Sequence, residues 1–191
     1  MPDLLTPVSL RMTPDEYVEW EETQEDKHDY IYGEVFLMSG STEPHNIVAT
    51  NFLVVLHRAF VGTDCAVYNE GMRVQVEEGG RYTYPDVSAV CGERAFTTVK
   101  RTTLINPCLV VEVLSERTQA YDRGDKLDAY RSVASVREIV ILWQDRRAAA
   151  VYRREATGRW SIEDVGADGV LALASVGVDV AMADLYAGTE V

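Results

Sequence analysis

The stretch that most constrains this chain is Pro107-Cys108-Leu109-Val110-Val111-Glu112-Val113-Leu114-Ser115. Four apolar residues precede Glu112 and two follow it, with no polar alternation. A short continuous run rich in Val reads as a strand covered on both faces, at the centre of a sheet. A carboxylate in such a strand is expensive to bury. It persists when it is paired with a cation, bound to a metal or kept protonated. Glu112 therefore predicts a metal-holding cleft on which other charged groups converge; a structural ion pair with one arginine is the alternative.

The 191 residues suit one domain over 1–191, with 1–12 as an N-terminal arm. No apolar run approaches the ~20 residues needed to cross a bilayer. The N-terminus lacks the basic start and apolar stretch of a signal peptide, so a cytoplasmic location away from membranes is expected. Cys65, Cys91 and Cys108 fit no zinc spacing and leave one over, which predicts reduced, packed thiols. The net charge of -13 argues against tight, metal-free binding of nucleic acid, whose affinity rests on phosphate neutralisation. It is compatible with a carboxylate site whose charge divalent cations offset.

Along the chain, Thr13-Pro14-Asp15-Glu16 is a helix start, with Thr as N-cap, Pro first and Glu three residues after the cap. His28 to Met38 has strand composition broken at Gly33-Glu34, the pattern of a hairpin. Pro44 opens a helix through about residue 59, with His45 in its first turn. Strands follow at 65–69, 72–76 and, entered through Pro85-Asp86, up to Cys91. Residues 92–106 read as a long mobile loop, and a helix is expected from about Thr118 to Val133. Arg137 to Trp143 is a further apolar strand; two meander strands and a short helix near 181–186 complete the chain. This order indicates an α+β fold, a mixed β-sheet flanked by helices with an extra hairpin and meander.

Three features carry chemistry. Pro85-Asp86 sets a carboxylate at the mouth of one strand, and Glu112 sets a second in the next. Mg²⁺ accepts one or two carboxylates plus waters and substrate phosphate. On the following helix Asp122, Lys126 and Tyr130 recur at four-residue spacing and share a face, so Lys126 can bring an ammonium to Glu112. Carboxylates, a divalent cation and a lysine are what phosphodiester hydrolysis needs. Glu34, at a bend, is a further candidate ligand, and His45 a candidate phosphate contact or proton carrier. The chain has no GxGxxG, GxxxxGK[ST] or GxSxG, so cofactor, P-loop and serine-hydrolase chemistries lack support.

Tyr30-Ile31-Tyr32-Gly33-Glu34, His45, Tyr84-Pro85-Asp86-Val87, Val111-Glu112-Val113-Leu114-Ser115, Asp122-Arg123-Gly124-Asp125-Lys126 with Tyr130, and the Arg137–Trp143 strand occur in that order. This ordered set resembles the Uma-type restriction endonuclease family, a branch of the PD-(D/E)XK nuclease superfamily, from Thr13 to Tyr186. The resemblance implies a restriction-endonuclease-like core and a Mg²⁺- or Mn²⁺-dependent endonuclease acting on DNA. Asp86 would be the first acid and Glu112 the second, with the Val113 carbonyl completing the metal ligands. The superfamily lysine, two residues after the second acid, is replaced here by Leu114, and Lys126 of the following helix would supply it. Cutting two strands favours a homodimer. The alternatives are a non-catalytic binding or regulatory protein on the same scaffold, and a metal-dependent hydrolase of a small phosphate compound.

Overall fold

The computed structural model describes residues 6–38, 40–97, 100–115 and 122–191. Its first half runs β1 (Thr6–Arg11), α1 (Pro14–Glu21), β2 (His28–Ile31), β3 (Glu34–Leu37), α2 (Glu43–Ala59), β4 (Cys65–Asn69), β5 (Arg73–Glu77), β6 (Arg81–Thr83) and β7 (Val87–Cys91). The second runs β8 (Thr103–Leu104), β9 (Leu109–Leu114), a π-turn at Asp122–Lys126, α3 (Leu127–Ser132), β10 (Glu138–Trp143), β11 (Ala149–Arg154), β12 (Trp160–Val165), β13 (Val170–Leu173), β14 (Val178–Ala181) and α4 (Met182–Leu185).

The strand that carries Glu112 is central, as its unbroken apolar run demands. The main sheet has the order β12-β11-β10-β9-β7-β4, and all six residues of β9 are buried. β9 pairs parallel with β10 and antiparallel with β7, so the sheet is mixed. The pleat of β9 sends alternate side chains to opposite faces. Leu109, Val111 and Val113 pack with Val48, Phe52 and Leu56 of α2. Val110 and Leu114 pack with Leu127 and Tyr130 of α3, and with Val74, Val76 and Leu104 of a second sheet. That sheet has the order β1-β3-β2-β6-β5-β8. The α+β class and the mixed sheet flanked by helices follow the expectation.

α1 covers the outer face of the second sheet and begins as its sequence dictates. Thr13 and Glu16 form a reciprocal capping box, with Pro14 at the first helical position. Its buried face is pinned by polar bonds: Tyr17 donates to the His28 carbonyl at 2.6 Å, and Glu21 accepts from the His28 amide and the Tyr84 hydroxyl, both at 2.9 Å. The break at Gly33 is a two-residue hairpin turn. Tyr32 and Gly33 both have positive φ, 47° and 97°, matching the right-handed twist of the flanking strands.

Four expectations need correction. Thr6–Arg11, read as part of an arm, is an edge strand paired antiparallel with β3, with Val8 packed on the α1 cluster. The presumed loop at 92–106 contains β8, which pairs parallel with β5 and buries Leu104 completely. The helix expected from Thr118 to Val133 is a π-turn followed by six α-helical residues; its first positions, 118–121, lie outside the described residues. The cysteines are not three reduced thiols. The antiparallel register of β4 and β7 sets Cys65 opposite Cys91, and the two form a disulfide. Cys108 is the free thiol, and burial pushes its pKa up. Among the described residues no helix is long and apolar enough to cross a membrane.

Candidate active site

The site lies at the C-terminal end of β9, where both faces of that strand meet charged groups. On one face Glu112 is 3% exposed. Its Oε1 lies 2.8 Å from the Lys126 ammonium and accepts a 2.6 Å hydrogen bond from the Tyr130 hydroxyl. Lys126 ends the π-turn and Tyr130 lies one helical turn on, so four-residue spacing brings both donors to one oxygen. Asp122, the third residue of that expected face, has a side chain outside the description. Burial, and then the Glu112 charge, push the Tyr130 phenol well above the ordinary tyrosine range, which keeps it a neutral donor.

Asp86 enters from the neighbouring strand. Carrying the β7–β9 register, in which Val87 faces Val111, one residue further sets Asp86 opposite Glu112. β7 has ended there, and the Asp86 side chain takes over from the ladder: its Oδ2 accepts from the Val113 amide at 2.7 Å. The same oxygen lies 3.2 Å from Nε2 of His45, in the first turn of α2. His45 thus reaches Asp86 from the helix that covers the opposite face of the sheet from α3. In an extended strand the N–H and C=O of one residue point to the same side. The Val113 carbonyl therefore opens into the gap beside Asp86.

Glu34 sits apart from these contacts. It ends the hairpin turn opposite Ile31, and its side chain pairs with Arg11 at 2.6 Å. The structure instead supplies Asp29, which sequence reasoning missed. Asp29 is buried on β2, alternating with Tyr30, which packs against α1. It therefore faces the main sheet, where its charge contributes to the upward shift of Tyr130. Its Oδ1 accepts from the Tyr84 amide at 3.3 Å. The sequence carried little signal for it: Asp29 lies between His28 and Tyr30 in a four-residue strand without the continuous apolar run that marks Glu112.

The donor set suits a hard divalent cation. Asp86 Oδ1 makes no hydrogen bond among the described residues, and Asp86 is tied to the strand of Glu112 through the Val113 amide. No group of three or more His, Cys, Asp or Glu side chains converges among the described residues.

The fold is that of a restriction-endonuclease-like α+β protein. The chain belongs to the Uma2 family, described as "Putative restriction endonuclease", which matches residues 14–183. It is 32% identical over 178 residues to an uncharacterized protein of Synechocystis sp., covering 93% of each chain. A second uncharacterized protein of that organism is 26% identical over 154 residues, covering 81% of this chain and 87% of its own. Among solved structures, one described as a putative nuclease belonging to DUF820 from Anabaena variabilis superposes with a TM-score of 0.72. It covers 92% of this chain and 97% of its own at 18% identity, which bears on the fold alone. Family and fold together support nuclease function in general terms.

Proposed function

We propose that this protein is a divalent-metal-dependent endonuclease, using Mg²⁺ or Mn²⁺ to hydrolyse phosphodiester bonds of DNA. The observation that carries the reading is the buried Glu112–Lys126–Tyr130 cluster beside an Asp86 carboxylate held on the amide of the next residue, Val113. Asp86, Glu112 and the Val113 carbonyl would hold the cation. Bound there, a divalent ion supplies Lewis-acid polarisation of the phosphoryl oxygen and lowers the pKa of the attacking water.

The chain's own residues do the rest. Lys126, fixed on Glu112, presents an ammonium that offsets charge developing on phosphoryl oxygens and orients the water. Tyr130 supplies a second donor that keeps the Glu112 carboxylate in one rotamer. His45 holds Asp86 and stands within one side chain of its oxygens, placed to accept or return a proton. Glu34 keeps a peripheral role, through Arg11. The net charge of -13 makes DNA binding depend on the cation, so affinity should be weak without it. A two-fold assembly would present two such sites to the two strands. The chain is read as acting in the cytoplasm.

The test is cleavage of supercoiled plasmid DNA with Mg²⁺, Mn²⁺ or EDTA by the wild type, Glu112→Gln and Lys126→Ala. Cleavage by the wild type that requires the cation and falls at least about 100-fold in both variants supports the reading. Equal nicking by all three proteins would identify a contaminant and end it.

A further inference from the structure

Lys126 is one of only three lysines in the chain, with Lys27 and Lys100, and is the buried one. An ammonium on a flexible four-carbon stem does not aim itself. The segment that carries it is irregular: in the π-turn Asp122–Lys126 the backbone leaves helical geometry at Gly124, with φ -106° and ψ -107°. α3, which follows, is only six residues long and has no side-chain cap at its start. Gly124 breaks the regular backbone two residues before Lys126, so Lys126 is not presented by a continuous α-helix.

The fixed point comes from the other sheet. Arg81 opens β6, is 5% exposed, and donates from Nη1 to the carbonyl of Asp125 at 3.0 Å. Tyr82, the next residue, faces α1 with Tyr17 and Tyr30, so the pleat turns Arg81 to the inner side. That side also carries Thr83, whose register partner Val74 lies in the core shared with α3. Burying a guanidinium is expensive, and its planar donors reward a fixed acceptor. Here one such acceptor is the main chain immediately before Lys126.

We propose that Arg81 is the positioning residue of this site: by holding the Asp125 carbonyl it sets the π-turn and aims the Lys126 ammonium at Glu112. The catalytic consequence rests on the nuclease reading above; the positioning does not. Loss of this bond lets the turn relax and Lys126 swing toward solvent.

The experiment uses the full chain with Arg81→Met, which keeps the length of the stem, and Arg81→Lys, which keeps one charge and a donor. Acylation of the three lysines by acetic anhydride is followed by mass spectrometry, with circular dichroism as the check on folding. In the wild type Lys126 should label far more slowly than Lys27 and Lys100. In Arg81→Met its labelling should rise roughly tenfold through local opening, with Lys27 and Lys100 unchanged. Arg81→Lys should restore part of the protection. In metal-dependent DNA cleavage, Arg81→Met should lower kcat on the order of 100-fold, as misplacement of a catalytic group does, with little change in KM.

Protection of Lys126 in Arg81→Met equal to that in the wild type overturns the proposal. A parallel rise at all three lysines in both variants also overturns it, because Arg81 is then a core residue and nothing more. Absence of cleavage by the wild type would sink the nuclease reading while leaving the labelling result to decide the role of Arg81.

Discussion

The Glu112–Lys126 pair can be weighed by a double-mutant cycle. Its side chains are 4% and 6% exposed and its charged atoms 2.8 Å apart. Lys126→Met leaves a buried carboxylate without its ammonium, still accepting from the Tyr130 hydroxyl, and breaking a buried pair in this way costs about 3–5 kcal/mol. Glu112→Gln leaves a buried ammonium facing an amide, at a similar cost. The double variant removes both buried charges together and should lie within about 1–2 kcal/mol of the wild type. The coupling energy is then about 4 kcal/mol or more, above the range most neighbouring residues show. Urea unfolding at pH 7, with unchanged slopes across the four proteins, measures it.

Arg11 and Glu34 provide the internal control. They approach to 2.6 Å, closer than the buried pair, but their side chains are 81% and 43% exposed. The same cycle there should return about 0–1 kcal/mol. If burial rather than distance sets the strength, the two cycles differ by several-fold. Similar coupling in both, or stabilisation by Glu112→Gln alone, would refute the account of Glu112 as a carboxylate tolerated through its cation.

Other consequences are more direct. The Cys65–Cys91 disulfide closes a sequence separation of 26, worth about 3.5 kcal/mol by loop-closure entropy, so reduction should lower Tm by about 10 °C in calorimetry. Superimposable melts with and without dithiothreitol would contradict this. Burial raises Tyr186 to about 12 and Tyr130 well above its ordinary value. Both favour the neutral form in the folded state, so their stabilisation is full below about pH 10 and is lost as pH rises through the folded values. Urea midpoints should therefore fall between pH 10 and 12, and less steeply in Tyr186→Phe; a flat profile would count against it. His45→Ala should weaken Mg²⁺ or Mn²⁺ affinity about 10–100-fold by removing the group that orients Asp86, read by titration calorimetry. Unchanged affinity would show His45 to be structural.

The parts of the fold and site that the sequence revealed are those specified by local chemistry. Thr13-Pro14-Asp15-Glu16 names its own helix start because the cap and its reciprocal partner lie three residues apart. Tyr32-Gly33 marks a hairpin because Gly accepts positive φ. Glu112 stands out because its neighbours leave no doubt about burial, and Lys126 and Tyr130 follow from helical spacing. The remainder depended on pairing between distant segments. Cys65 meets Cys91 only because β4 and β7 adopt one register among several. Thr103-Leu104 is too short to show a period, and it is a strand because β5 offers it an edge. Asp29 and Arg81 belong to a sheet whose inner face could be identified only after Tyr17, Tyr30 and Tyr82 had claimed the outer one. Glu34 was drawn in by its place beside Gly33, whereas the turn that Gly33 makes points it toward Arg11.

One local feature ties the edge of the sheet to its chemistry. Proline has no amide hydrogen, so Pro85 cannot extend the β7 ladder, and pairing with β9 begins at Val87. Pro85, which this register would set opposite Val113, offers no N–H to the Val113 carbonyl, and with the ladder ended the Val113 amide needs another acceptor in a buried layer, where an unsatisfied donor costs about 1–3 kcal/mol. Asp86 answers it with a carboxylate oxygen instead of a main-chain carbonyl, at 2.7 Å. A carbonyl would have closed the ladder and nothing more; a carboxylate satisfies the same amide and has a second oxygen to spare. The Pro-Asp pair thus ends a strand and places an acid opposite Glu112 in a single step. Separating the two requires a residue that accepts from Val113 without a charge, as in Asp86→Asn, which should keep the folded stability that Asp86→Ala gives up while losing the affinity for a divalent cation.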